Sequence, residues 1–122
     1  MLKNILLVGL GGGIGSMLRF ACSVLINTKL FPWSTLLVNI TGCFAIGIIY
    51  AFSIRDEAVL NNWKLFLATG LCGGFTTFSA FSLENVGLLQ SGKTGLALMY
   101  IGISVILGIA ATFAGYMLVV RS

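Results

Sequence analysis

The chain has 122 residues, of which 58% are hydrophobic and 8% are charged. A soluble domain carries about 25% charged residues, so this chain lacks the polar side chains to cover a water-facing surface and reads as a single-domain, all-α integral membrane protein. Its net charge of +4 is scattered with no basic run to engage nucleic acid. With no histidine and only Asp56, Glu57 and Glu84 as acids, it lacks the usual residues of metal-dependent hydrolysis and of His-based acid–base catalysis and does not read as an enzyme.

Four apolar runs follow one another, at residues 5–25, 33–52, 63–89 and 94–120, each near the ~20 residues that a spanning helix needs. The first begins close to residue 1 and has no small-residue cleavage site, so a retained helix is expected. Gly9, Gly11, Gly12, Gly13 and Gly15 crowd it. Their spacing is not that of a dinucleotide-binding loop, and close helix packing is their expected role. Arg19 follows within the same run. It reads either as an arginine snorkelling to the interface or as a functional one, drawing anions at a vestibule or donating to backbone carbonyls.

A turn is expected over Asn27-Thr28-Lys29 before Pro32, the only proline. The second span opens on Trp33, a residue typical of the membrane interface, and carries Asn39 and Thr41 in T-L-L-V-N-I-T-G. Alone, an amide there reads as an interhelical hydrogen bond. Arg55-Asp56-Glu57 and Asn61-Asn62 mark a polar loop.

The third span holds the run T-G-L-C-G-G-F-T-T-F-S-A-F-S-L-E, from Thr69 to Glu84. Each glycine costs a helix interior roughly 1 kcal/mol relative to alanine. In lipid, backbone groups released from a helix must find partners inside the protein or in a watery cavity. A helix broken in mid-membrane is expected here, and such breaks are where ions and substrates are held. Phe78 and Phe81 share one face at a spacing of three. Their rings carry positive edges, and Thr76, Thr77, Ser79, Ser82 and Glu84 surround them with polar groups. Hydroxyl donors suit an anion, while exposed carbonyls at the glycine break suit a cation.

A turn at Gln90-Ser91-Gly92-Lys93 leads into the fourth span, dotted with Gly102, Gly108, Ala111 and Gly115. Cys22, Cys43 and Cys72 are well separated within apolar runs and read as small buried hydrophobes. Lys3, Arg55, Lys64 and Arg121 fall on one side of the membrane and Lys29 and Lys93 on the other. So small a bias under the positive-inside rule admits either insertion in both orientations or a single orientation with the termini inside. Four short helices enclose little volume, so an oligomer, most simply a homodimer, is expected.

Three motifs, G-G-G-I-G-S-M-L-R-F at Gly11–Phe20, T-L-L-V-N-I-T-G at Thr35–Gly42 and G-L-C-G-G-F-T-T-F-S-A-F-S-L-E at Gly70–Glu84, resemble those of the Fluc/CrcB family of fluoride ion channels. The resemblance covers nearly the whole chain. It implies a multi-pass protein of the bacterial-type inner membrane, a dual-topology antiparallel homodimer with two pores, conferring fluoride resistance by passive export of cytoplasmic fluoride. It also implies a structural sodium ion at the dimer centre, held by the main-chain carbonyls of Gly73 and Thr76. On the same grounds Phe78 and Phe81 would line the fluoride path, Asn39 would supply an amide, and Ser79, Ser82 and Thr112 would form a polar track. Arg19 matches the family arginine and Glu84 the acid closing the third motif, each in a vestibule or structural role. Ala80 departs from the pattern, since many members carry threonine between the phenylalanines. The competing reading is a small proton-coupled multidrug exporter of four helices. That mechanism needs a carboxylate in the membrane, commonly in the first helix, where this chain has Arg19 instead.

Overall fold

The computed structural model describes residues 1–26, 31–55 and 63–121. The described residues are helical almost throughout: α1 is Leu2–Leu25 and α2 is Trp33–Arg55. α3 is a π-helical stretch, Leu65–Cys72, carried on by one α-helical turn, Gly73–Phe75; α4 is Phe78–Gln90 and α5 is Thr94–Val120. Among the described residues, four stretches are long and apolar enough to cross a membrane: Leu2–Leu25, Trp33–Ile54, Leu65–Gln90 and Thr94–Val120. At 1.5 Å per residue the 24 residues of α1 reach about 36 Å, against ~30 Å of hydrocarbon. The spans begin or end within a few residues of the sequence expectation. The turn expected at Asn27-Thr28-Lys29 and the loop with Asp56, Glu57, Asn61 and Asn62 lie outside the described residues.

Two helix pairs organise the chain. α1 packs along α3, and α2 packs along α5. Both pairs approach closely at glycines. A side chain at Gly11 or Gly15 of α1 would run into the backbone of residues 66–75, and one at Gly70 or Gly74 would run into the backbone of α1. On the other pair, Gly47 faces the Thr112 carbonyl and Gly115 the Phe44 carbonyl. With lipid as apolar as the side chains, such backbone-to-backbone approach is what draws membrane helices together.

α3 is a wider helix than its neighbours: the Gly73 N–H reaches back to the Ala68 carbonyl, five residues earlier. Stretches of this kind cluster at functional sites. The helical path is interrupted at Thr76 (φ −84°, ψ 157°) and Thr77 (φ −151°, ψ 125°), both extended. α4 then restarts with Thr77 as N-cap, its Oγ1 accepting the Ala80 N–H at 3.2 Å. The turn after α4 is a Schellman closure: Lys93 N–H donates to the Leu88 carbonyl (2.8 Å) and Gly92 N–H to the Leu89 carbonyl (3.1 Å). Gly92 has φ +79° there, a conformation that glycine alone adopts without strain.

The best-buried apolar cluster gathers Phe31, Leu36 and Tyr100, with Phe81 packed against it. It sits where α2, α4 and α5 meet. The outer faces of all four spans carry exposed leucine, isoleucine, valine and phenylalanine, as helices that are apolar all round must in a bilayer.

Candidate functional site

The interruption at Thr76–Thr77 frees backbone groups, and the chain satisfies them with one side chain. Asn39, in the middle of α2, accepts the Thr77 N–H on Oδ1 at 2.9 Å and donates Nδ2–H to the Thr77 carbonyl at 3.2 Å. The amide thus pairs with Thr77 as a neighbouring strand would. An asparagine amide has two N–H groups, and among the described residues only one is spent. Thr76 turns back on the previous helix: its N–H and its Oγ1–H both donate to the Cys72 carbonyl, at 2.9 and 2.8 Å. Arg19 is half-buried and its Nε–H donates to the Gly74 carbonyl at 3.1 Å, so its reach is to the glycine turn of α3. Among the described residues, no hydrogen bond reaches the carbonyls of Gly73 or Thr76.

A cleft of about 430 Å³ opens beside this interruption, walled by α2, α3, α4 and α5. Asn39, Gly73, Thr76, Phe78 and Phe81 line it. The two phenylalanine rings lie 5.7 Å apart at 45°, but their surroundings differ. Phe81 meets Tyr100 edge-on at 4.9 Å and belongs to the core cluster, whereas Phe78 is 77% exposed. A second cleft of about 760 Å³ lies along α2 and α5 and contains Thr112. Cys43, Ser104, Val105 and Gly108 line both clefts, so the two adjoin.

Other residues singled out by sequence lie apart from the first cleft. Ser79 is exposed and shares a hydrogen bond with Thr77 Oγ1 at 3.1 Å. Ser82 is half-buried outside both clefts. The Thr112 hydroxyl donates to the Gly108 carbonyl at 3.1 Å. Glu84 is fully engaged inside the chain: Oε2 accepts from Thr35 Oγ1 and Oε1 from the Tyr100 hydroxyl, each at 2.8 Å.

Sequence reading did not single out Ser104, Tyr100 or Thr35 as side chains of the site. The Ser104 hydroxyl is buried where the two clefts meet, with no hydrogen-bond partner among the described residues. Its sequence signal is a lone hydroxyl in an otherwise apolar stretch of the fourth span. Thr35 lies four residues before Asn39 and so on the same helix face.

Residues 6–116 match the profile of the family described as CrcB-like protein, Camphor Resistance (CrcB). The chain belongs to the CrcB-like family. Among its relatives, a protein of Azobacteroides pseudotrichonymphae named fluoride-specific ion channel FluC is 50% identical over 121 residues, 97% of each chain. Proteins of the same name are 47% identical in Flavobacterium psychrophilum, over 93% of this chain and 94% of the relative, and 46% identical in Thermus thermophilus, over 96% and 95%. As a CrcB-like protein with four apolar spans, the chain is a multi-pass membrane protein; its family is one of ion channels, not of enzymes.

Proposed function

We propose that this CrcB-like protein is a fluoride-specific channel giving cytoplasmic fluoride a passive exit. One observation carries the reading. Groups far apart in the chain, Asn39, then Gly73, Thr76, Thr77, Phe78 and Phe81, and Ser104, meet in one cleft, in a protein 46–50% identical over nearly its full length to relatives named fluoride-specific ion channels.

The chemistry of the cleft suits a small, strongly hydrated anion. Dehydrating it requires donors at short range and positive potential. The second N–H of Asn39, the unpartnered Ser104 hydroxyl and the ring edges of Phe78 and Phe81 offer these. Ser79, Ser82 and Thr112 lie outside this cleft, Thr112 in the adjoining one, and in this reading they extend the polar track beyond it. Arg19 acts in this reading by fixing the Gly74 carbonyl, and Glu84 by fixing α4 against α2 and α5. The competing exporter mechanism needs a carboxylate free to exchange protons, and both Glu84 oxygens are occupied by hydroxyl donors.

The functional unit in this reading is a dual-topology antiparallel homodimer with two pores. The small charge bias between the two sides and the open flank of the cleft support it. The interruption at Thr76–Thr77 then lies at mid-membrane and faces its counterpart. A sodium ion fits there as a structural cofactor: hard cations take oxygen ligands, and the Gly73 and Thr76 carbonyls receive no hydrogen bond among the described residues. Those carbonyls from both subunits would hold it, and its charge would offset their mutual repulsion.

The test is efflux from liposomes loaded with fluoride or chloride. Fluoride should leave and chloride should be retained; equal rates for both would reject the proposal. Phe78→Ile and Phe81→Ile sharpen it. Both should lose fluoride flux, and only Phe81→Ile should also lower thermal stability, because only Phe81 packs in the core.

A further inference from the structure

The sequence reads all three cysteines as small buried hydrophobes, and Cys72 is buried while Cys22 and Cys43 are half-buried. Cys22 lies on α1, away from both clefts. Cys43 and Cys72 are placed differently. Both are free thiols and both line the first cleft. Their helices touch just there. Gly42, the neighbour of Cys43, lies against the Thr76 methyl, and Thr76 is itself bonded through Oγ1 and N–H to the Cys72 carbonyl. The Cys43 sulfur also sits over the Gly108 backbone, where a Cβ built on that glycine would stand 3.5 Å from it. Two cysteines from different helices therefore line one cavity, beside the Thr76–Thr77 interruption, and among the described residues no acid or histidine lines it.

We propose that Cys43 and Cys72 form a two-thiol site for a soft d10 metal cation, with Hg2+ as its probe, and that the bound ion closes the cleft. Soft thiolate ligands select soft cations, and the bound form of each ligand is the thiolate. Binding makes two sulfur–metal bonds and releases the two thiol protons to water, with no change of oxidation state. The hard cation proposed for the Gly73 and Thr76 carbonyls takes oxygen, so the two ions do not compete for ligands. The occlusion rests on the fluoride-channel reading; the metal site does not.

Two readouts separate them. In detergent, purified protein is titrated with mercuric nitrate, and the near-ultraviolet sulfur-to-mercury absorption and the retained metal per chain are measured. Wild type and Cys22→Ser should retain one tightly held ion per chain. Cys43→Ser and Cys72→Ser should each hold it roughly 10²-fold more weakly, because a second linked ligand raises affinity by about that factor or more. In liposomes, Hg2+ should abolish fluoride efflux of wild type and Cys22→Ser, and dithiothreitol should restore it. Efflux of each Cys43 and Cys72 variant, compared with its own Hg2+-free rate, should be restored by a brief wash without thiol. Undiminished retention in either single variant, or loss of the ion in Cys22→Ser, overturns the site. Retention by both thiols with undisturbed fluoride efflux overturns the occlusion. Wild-type liposomes that pass no fluoride even without metal overturn the channel reading, and the absorption titration still decides the site.

Discussion

On its N-terminal half the third span meets α1 backbone to backbone; on its C-terminal half it is tied to α2 and α5 by side chains. Along α3, Gly70 and Gly74 lie against Gly11 and Gly12, and among the described residues Arg19, whose Nε–H caps the Gly74 carbonyl, is the one polar side chain that joins the helices by a hydrogen bond. From Thr77 onward the contacts are amide, carboxyl and hydroxyl: Asn39 on Thr77, then Thr35 and Tyr100 on Glu84. The difference lies in what each half tolerates. The first should fail when atoms are added, the second when polar partners are removed. The interruption at Thr76–Thr77 is the boundary between them, which places the groups proposed to meet ions where neither kind of packing consumes every backbone group.

The largest effect is expected from Gly74→Val. A Cβ at that position would run into the Gly12 carbonyl, and neither helix backbone can give way without parting the pair. Overpacking costs about 1–3 kcal/mol in well-packed cores, sometimes more, and here the obstacle is backbone. The variant should not survive as a monodisperse peak on size exclusion in detergent. A Gly74→Val protein with wild-type yield and melting temperature would mean that α1 and α3 are not in register as described.

Next comes Asn39, which probes the boundary. Asn39→Leu removes both bonds to Thr77 and leaves a donor and an acceptor unsatisfied, at about 1–3 kcal/mol for each buried group. Asn39→Asp keeps the acceptor for the Thr77 N–H and loses only the donor to the Thr77 carbonyl. Thermal unfolding should therefore rank wild type above Asp and Asp above Leu. Fluoride flux should be lost in both variants, since both lack the spare amide N–H. If Asn39→Leu melts like wild type, Thr77 is held by something other than Asn39.

A smaller effect belongs to the Glu84 network. A double-mutant cycle of Glu84→Ala with Tyr100→Phe isolates one of its bonds. Interhelical hydrogen bonds in membranes average about 0.6 kcal/mol and reach ~1.7, so the coupling energy should fall in that range. Additive effects of the two substitutions would show that the 2.8 Å contact contributes nothing to stability.

These contacts differ in how far the sequence reveals them. The four spans follow from apolar run length, because lipid demands about 20 apolar residues whatever their order. The glycines of α1 announce close packing, and the structure divides them: Gly11, Gly12 and Gly15 meet the backbone of α3, whereas a Cβ at Gly9 or Gly13 would meet nothing within 4 Å among the described residues. The Gly92 turn is likewise written locally, in a glycine two residues past the helix end. Glu84 is different. Its partners come from 49 and 16 residues away, and nothing in the local pattern of either pairs them. The π-helical course of α3 is also hidden. In a run apolar on every side, widening the helix changes which residue faces where without changing any hydrophobic periodicity. For the same reason the Ser104 hydroxyl could be placed in a span but not at the junction of two clefts.

The smallest effect on folding, and the sharpest contrast with Gly74, is expected one residue earlier. Gly73 and Gly74 are adjacent in sequence and both belong to the glycine-rich run, which alone suggests that both are there for want of space. In the folded chain they are not alike. The nearest atom to a Cβ at Gly73 is the Ala68 carbonyl oxygen, at 3.9 Å, an ordinary van der Waals distance; the position is exposed on the cleft wall. Its conformation, φ −62° and ψ −37°, is open to any residue. Packing within one chain therefore gives no reason for glycine, and Gly73→Val should fold with wild-type helical content. What it should lose is what lies beyond the chain. In the proposed dimer the Gly73 carbonyl faces its counterpart across a sodium ion, and a β-branched side chain beside that carbonyl would crowd the approach. Gly73→Val should thus give a protein that folds with wild-type helical content yet fails to dimerise or to pass fluoride, read by circular dichroism, cross-linking and liposome efflux. If it dimerises and conducts normally, the carbonyl of Gly73 has no partner across the interface, and the proposed ion site must lie elsewhere.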